Sequence, residues 1–246
     1  MIELINVSKK YVDAEKPAVN ELNLSINDKE IFGLLGPNGA GKTTTISMLC
    51  GLVQPTSGSI SLNGLNFKDN LTELKQLIGV VPQDIALYPT LTGKENLEFY
   101  GAMYGVPKVI LANRITSWLK KFEMEKSANK RVSSYSGGMK RRINLIAGIL
   151  HQPEILFLDE PTVGVDVQSR SDIMHHLKAL NTDGMTIIYS SHHMEEAEHF
   201  CSDVAIINTG EIIARGNPVE LIQNQSDCRN LEEVFLKLTK PNFHSK

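Results

Sequence analysis

Apolar residues recur along the chain at two periods, and the change between them divides it. Near the amino end, Leu22, Leu24 and Ile26 alternate with Asn23 and Ser25. That period of two belongs to a half-buried antiparallel strand. Met1 to Tyr11 alternates in the same way and reads as neither a signal peptide nor an anchor. Asn27-Asp28-Lys29 is a turn, and Ile31-Phe32-Gly33-Leu34-Leu35 is then a continuous apolar run, as expected of a strand covered on both faces. A glycine-rich loop follows. Thr43 to Leu52 is predicted as a helix, Ile60 to Leu62 as a strand turned by Asn63-Gly64, and Ile78 to Val81 as a further buried strand.

From about Leu87 to Leu150 the strand signal gives way to helical spacing. Within Asn113 to Met124, Ile115, Trp118, Leu119 and Phe122 fall on one stripe. A mainly helical lobe is therefore inserted between strands. After it, Ile155 to Leu158, Thr186 to Ser191 and Val204 to Asn208 are short buried strands with helices between them. Such alternation predicts an α/β fold with a mostly parallel sheet. Thr209-Gly210 turns a hairpin into Ile212 to Ala214. Leu231, Val234, Phe235 and Leu238 predict a last helix packed back on the core.

Composition narrows the classes. A length of 246 residues allows one large domain or two lobes, and 41% hydrophobic with 22% charged residues excludes wholesale disorder. The 25 Lys and Arg against 28 Asp and Glu exclude a general basic face for duplex DNA, and no nucleic-acid partner is expected. No apolar run approaches the roughly 18–20 residues of a spanning helix. Cys50, Cys201 and Cys228 lie far apart, form no metal spacing, and read as thiols in a reducing cytosol.

Two motifs carry chemistry. Gly36-Pro37-Asn38-Gly39-Ala40-Gly41-Lys42-Thr43 fits G-x-x-x-x-G-K-[ST] between a buried strand and a helix. Glycines let successive N–H groups converge on one anion, and the helix beginning near Gly41 adds its positive end. Lys42 is placed for the β and γ phosphates, Thr43 for Mg²⁺, and Thr44 for the α phosphate. Ile155-Leu156-Phe157-Leu158-Asp159-Glu160 is a buried strand ending in two carboxylates, and ligands gather at the carboxyl ends of such strands. Asp159 is placed to hold Mg²⁺ through water, and Glu160 to orient and deprotonate the attacking water.

A third motif sharpens the reading. Ser136-Gly137-Gly138, followed by Met139-Lys140-Arg141-Arg142, resembles the signature of the ATP-binding-cassette (ABC) ATPases. The usual pattern is L-S-G-G-Q, and here the flanks are Tyr135 and Met139. The resemblance covers about Met1 to Gly216. It implies a P-loop NTPase fold of the ABC type: a RecA-like core with an antiparallel β lobe (1–86 and 151–216), an inserted helical lobe (87–150) and a helical tail (217–246). By the same resemblance Tyr11 stacks on adenine, Gln83 touches Mg²⁺ and the attacking water, Asp166 is the D-loop aspartate, and His192 binds the γ phosphate. His193 is adjacent, so that last assignment depends on register.

The cofactors implied are ATP and Mg²⁺. The family pairs two cassettes head to tail, here with an identical chain or a paralogue, so that Ser136 and Gly138 act on the partner's ATP. Membrane permease subunits dock beside the Q-loop, about residues 83–95; the apolar residues of Leu87-Tyr88-Pro89-Thr90-Leu91 serve either that contact or packing within the lobe. Tyr135 to Arg142 and Glu160 to Arg170 look most like bacterial ABC-2-type exporter ATPases, peripheral on the cytoplasmic face of the membrane. A soluble ABC ATPase without a permease, or a regulatory subunit that dimerises with little hydrolysis, are the alternatives.

Overall fold

The computed structural model describes residues 1–225 and 227–239; the predicted tail from 217 thus has Ser226 and residues 240–246 outside the described residues. In chain order, β1 (Ile2–Lys9), β2 (Val19–Ile26), β3 (Ile31–Leu35), α1 (Lys42–Leu49) and β4 (Ser57–Leu62) come first. Next are α2 (Leu71–Leu77), β5 (Ile78–Val81), α3 (Gly93–Met103), α4 (Lys108–Lys121), α5 (Gly137–Ile149), β6 (Ile155–Asp159) and α6 (Val167–Thr182). The remainder holds β7 (Thr186–Ser191), α7 (Met194–Phe200), β8 (Asp203–Asn208), β9 (Glu211–Gly216), α8 (Pro218–Gln223) and α9 (Leu231–Thr239). They form two compact units, Met1–Leu71 together with the described residues from Ile188 onward, and Thr72–Ile187. The fold is the mixed α/β fold expected, and no helix among the described residues is long and apolar enough to cross a membrane.

In the first unit, β1 pairs antiparallel with β2 and β4. Register aligns Ile26, Ile2 and Leu62 in one row and Leu24, Leu4 and Ile60 in the next, all buried. The predicted alternation breaks once: Asn6 takes a φ of 50°, the register shifts, and Ile5 is turned outward while Val7 is buried. This bulge is closed by Asn6 N–H to Asn23 Oδ1 and Asn23 Nδ2–H to Asn6 Oδ1, each 2.9 Å. The unit's other strands run in the order β7-β3-β8-β9. β3, buried at every position, pairs parallel with β8, and β8 turns through Thr209 and Gly210 into antiparallel β9. Both turn residues have positive φ, 47° and 85°, which matches the twist of a two-residue hairpin.

The predicted helix over 43–52 stops at Leu49. Gly51 takes the left-handed φ of 69°, its N–H bonds Met48 O, and Leu52 N–H bonds Ser47 O. That Schellman pair ends the helix and leaves Leu52 in solvent. α9 buries Leu231 and Val234, while Leu238 is exposed, so its packed stripe is shorter than predicted.

In the second unit, β5 and β6 pair parallel. Ile143 through Ile149 of α5 are all buried, the mark of a helix inside its fold. No strand lies between 87 and 150, as predicted. Ile115, Leu119 and Phe122 are buried, and Trp118 lies half-exposed under the ammonium of Lys121 at 4.7 Å. Thr92 and Glu95 form a reciprocal capping box at α3. Arg142 and Asp172, 2.5 Å apart and both partly buried, tie α5 to α6.

His151 follows α5. Its Nε2–H donates to Ile78 O at 2.8 Å, and its ring stacks on Tyr104 at 3.7 Å. Nδ1 is buried with no hydrogen-bond partner among the described residues. Burial, then the nearby Arg114 charge, lower the imidazole pKa against the raising effect of the Ile78 bond. The neutral ring is therefore favoured in the fold, and its contribution is complete above the ordinary value of 6.5 and lost as pH falls below it. Thermal unfolding should show a stability decline below about pH 6.5. His151→Gln should flatten that decline while lowering stability at pH 8.

Candidate functional site

The phosphate loop belongs to the first unit. β3 delivers the chain at Gly36, whose N–H donates to Ser191 O at 3.3 Å. A Cβ there would stand 2.2 Å from Ile207 O, and one at Gly41 2.5 Å from Ala18 O. Only glycine lets the loop pass this close to two neighbouring backbones. Ala40 O accepts Gly210 N–H, and Gly210 O accepts Asn20 N–H, each at 2.9 Å, so the β8–β9 turn braces the loop. Lys42 is buried, and its ammonium donates to Gly36 O at 2.9 Å and Pro37 O at 3.1 Å. Its charge is thus held across the mouth of the loop. Gly41 begins α1 with no side-chain cap and no acidic residue in the first turn, which leaves the helix's first amides to an anion. Asn38, Gly39 and Thr43 are exposed; Pro37 and Thr44 are half-buried.

The same unit holds His192, His193 and Tyr11. His192 is the first residue past β7, with its ring 4.0 Å from that of His193. His193 precedes α7, and its N–H donates to Ser191 Oγ at 2.9 Å. Tyr11 stands in the loop after β1, exposed, with Lys9 Nζ 5.4 Å from its ring centre.

The second unit holds the acidic pair. Asp159 is the last residue of β6 and Glu160 the first beyond it, each 6% exposed. Glu160 takes a φ of 48°, and its carbonyl accepts Val163 N–H at 3.3 Å. Left-handed backbone at a non-glycine residue is strained, and such strain gathers at functional positions. Gln83 is exposed just past β5. Ser136 caps α5, accepting Met139 N–H at 3.3 Å, and it and Gly137 are exposed while Gly138 is buried. No acidic residue enters that first turn either. Asp166 caps α6, its two oxygens accepting Ser169 N–H at 2.9 Å and Ser169 Oγ–H at 2.8 Å. These bonds hold its carboxyl below the usual carboxylate range.

Residues 83–95 divide between packing and surface. Leu87 is buried, whereas Tyr88 is exposed with its ring edge-on to Phe99 at 5.0 Å. Asn96, fully buried, accepts Tyr88 N–H at 2.8 Å and donates to Tyr88 O and Thr92 O. It pins the segment to α3. Sequence reasoning missed Asn96, and it also missed Ser169 and Arg141, whose buried guanidinium bonds two backbone carbonyls. Nothing in a polar residue's spacing marks it as buried.

The hydroxyl of Thr43, the carboxylate of Asp159 and the amide oxygen of Gln83 are the hard donors that Mg²⁺ accepts. No group of three or more His, Cys, Asp or Glu among the described residues forms a metal cage.

A family profile described as "ABC transporter" matches residues 19–163. The linearmycin resistance ATP-binding protein LnrL of Bacillus subtilis (strain 168) is 48% identical over 243 residues, spanning 96% of this chain and 78% of that protein. The Nod factor export ATP-binding protein I of Cupriavidus pinatubonensis is 39% identical over 235 residues, 96% of this chain and 71% of that one. The dimeric post-hydrolysis structure of the ATP-binding cassette MJ0796, bound to ADP and Pi, superposes with a TM-score of 0.80 at 29% identity, covering 88% of this chain and 98% of that one.

Two glycines separate crowding from conformation. Gly36→Ala should weaken ATP binding by roughly tenfold or more, about 1.4 kcal/mol. Gly39→Ala, whose Cβ meets open space at a φ of 81°, should weaken it less. Equilibrium titration with ATP ranks the two.

Proposed function

The chain belongs to the ABC transporter family, as an ATP-binding and ATP-hydrolysing subunit of exporter type, and from this we infer how its residues divide the work. The single observation that carries the reading is the braced, uncapped glycine loop with the buried Lys42 across it.

The first unit supplies binding. Amides of the loop past Pro37 and of the first turn of α1, with the ammonium of Lys42, take the β and γ phosphates, Thr44 reaches the α phosphate, and Tyr11 stacks on the base. His192, the first residue past β7, rather than His193 at the start of α7, meets the γ phosphate. The second unit supplies turnover. Glu160 orients the attacking water and accepts its proton, and Gln83 holds the other side of that water. Thr43, Asp159 and Gln83 would hold Mg²⁺, which would neutralise phosphate charge. The water oxygen bonds to the γ phosphorus as its proton passes to Glu160, the bond from that phosphorus to the bridging oxygen breaks with its electron pair left on ADP, and ADP and Pi are released.

Roughly four negative charges on ATP call for more donors than one loop provides. The start of α5, with Ser136, Gly137 and Gly138 and no acidic residue in its first turn, offers them to the nucleotide of a second cassette, and Asp166 faces the same partner. Closing that interface excludes water and strengthens each contact. Hydrolysis removes the shared γ phosphate, and the pair loosens. Segment 87–150 is the helical lobe that carries Ser136, and 1–86 with 151–216 is the core.

Permease subunits dock on the exposed aromatic side of the 83–95 segment. The cytoplasmic face of the membrane is the side supplied with ATP. The relatives named for linearmycin resistance and Nod factor export suggest a cargo moved outward.

Glu160→Gln should retain ATP affinity, lower turnover by roughly a hundredfold or more, and accumulate an ATP-dependent dimer in size-exclusion chromatography. A variant that hydrolyses at the wild-type rate would remove Glu160 as the base. Lys42→Ala should abolish binding at ATP concentrations that saturate the wild type; undiminished binding would refute the phosphate-loop assignment.

A further inference from the structure

Arg141 is an arginine with almost no access to water. It is the fifth residue of α5 and is 4% exposed. Its Nη1–H donates to Pro82 O at 3.1 Å and its Nη2–H to Val163 O at 3.4 Å. Its Nε–H is buried without a hydrogen-bond partner among the described residues. Burial lowers its pKa from the ordinary arginine value, and the carboxylate of Asp84 opposes that shift. A buried guanidinium with an unpaired N–H is a costly choice where an apolar side chain would fill the space.

The two carbonyls it reaches are informative. Pro82 immediately precedes Gln83. Val163 lies between Glu160 and Asp166, and its N–H closes the turn on Glu160 O. The start of α5 meets the same loop again: a Cβ at Gly138 would stand 2.3 Å from Ser169 Oγ, the hydroxyl that donates to Asp166, and one at Gly137 would stand 3.1 Å from Gly164 O. Three segments that carry Gln83, Ser136 and the Glu160–Asp166 turn therefore converge on one side chain. A planar fork can serve two carbonyls from different segments at once, whereas an ammonium is a point donor without that fixed spacing.

We propose that Arg141 is a positioning residue that holds the Gln83 turn, the Ser136 helix start and the 160–166 loop as one body, so that displacement at Gln83 reaches the two groups presented to a partner cassette. This rests on the ATPase reading above. Arg141 touches no substrate; it acts through the backbone on which Gln83, Ser136 and Asp166 stand.

The test compares Arg141→Met and Arg141→Lys with the wild type in the full chain. ATP affinity is measured by titration, kcat and KM by steady-state hydrolysis, and amide hydrogen exchange along the chain. Both variants should keep ATP affinity within about twofold and lose kcat by roughly tenfold or more, a transition-state loss of about 1.4 kcal/mol. Exchange should rise together at residues 83–86 and 162–166 and stay unchanged at 36–44. A folded variant with wild-type kcat, or exchange raised only beside residue 141, would overturn the proposal. So would affinity lost in step with kcat. If Arg141→Met does not fold, Arg141→Lys decides; if neither folds, Arg141 serves stability and the proposal fails. A wild-type chain that hydrolyses no ATP would instead refute the ATPase reading, and the exchange comparison would still decide the coupling.

Discussion

Convergence of backbone N–H groups on one point is the constraint on which the first unit is built. Such groups repel like partial charges unless an anion, a dipole or a fixed scaffold holds them together. Here the scaffold is backbone. Gly36 N–H hangs on Ser191 O, Ala40 O on the turn at Gly210, and that turn on Asn20. Any side chain at Gly36 or Gly41 would strike a carbonyl of this frame. The parallel β3–β8 pair places the frame, the β8–β9 turn is part of it, and the bulge at Asn6 lies outside it.

The second unit handles polar groups differently. Asn96, Arg141 and His151 are each withdrawn from water and each bond a backbone carbonyl of another segment. Side chains thus do what ladder hydrogen bonds do in a sheet, in a region where the described residues between 87 and 150 form no strand. A carbonyl left without its donor in such a place costs about 1–3 kcal/mol, so each of these residues fixes a loop as well as filling a space. The left-handed Glu160 belongs to the same economy: its turn is closed by Val163, which in turn is held by Arg141.

Much of this was legible in the chain. Period-two alternation placed β1 and β2, the all-apolar runs placed β3, β5 and β6, and the Thr209-Gly210 pair placed the last hairpin. The phosphate loop and the acidic strand end were readable because their chemistry depends on residue type at fixed spacing. Those signals are local. The bulge at Asn6 was not readable, since it exists only through its pairing with Asn23. The end of α1 was misplaced by three residues because the glycine that stops it acts through backbone conformation rather than apolar period.

The sequence by itself determined the element types, the anion-binding loop, the acidic pair and the family, because each is written in residue identity over a short window. Tertiary structure alone decided which polar residues are buried and what they hold. Arg141 and Arg142 are neighbours of one residue type, yet Arg141 is enclosed and Arg142 pairs with Asp172. Hydration is a property of the whole packed surface around a side chain, and no window of the chain contains that surface.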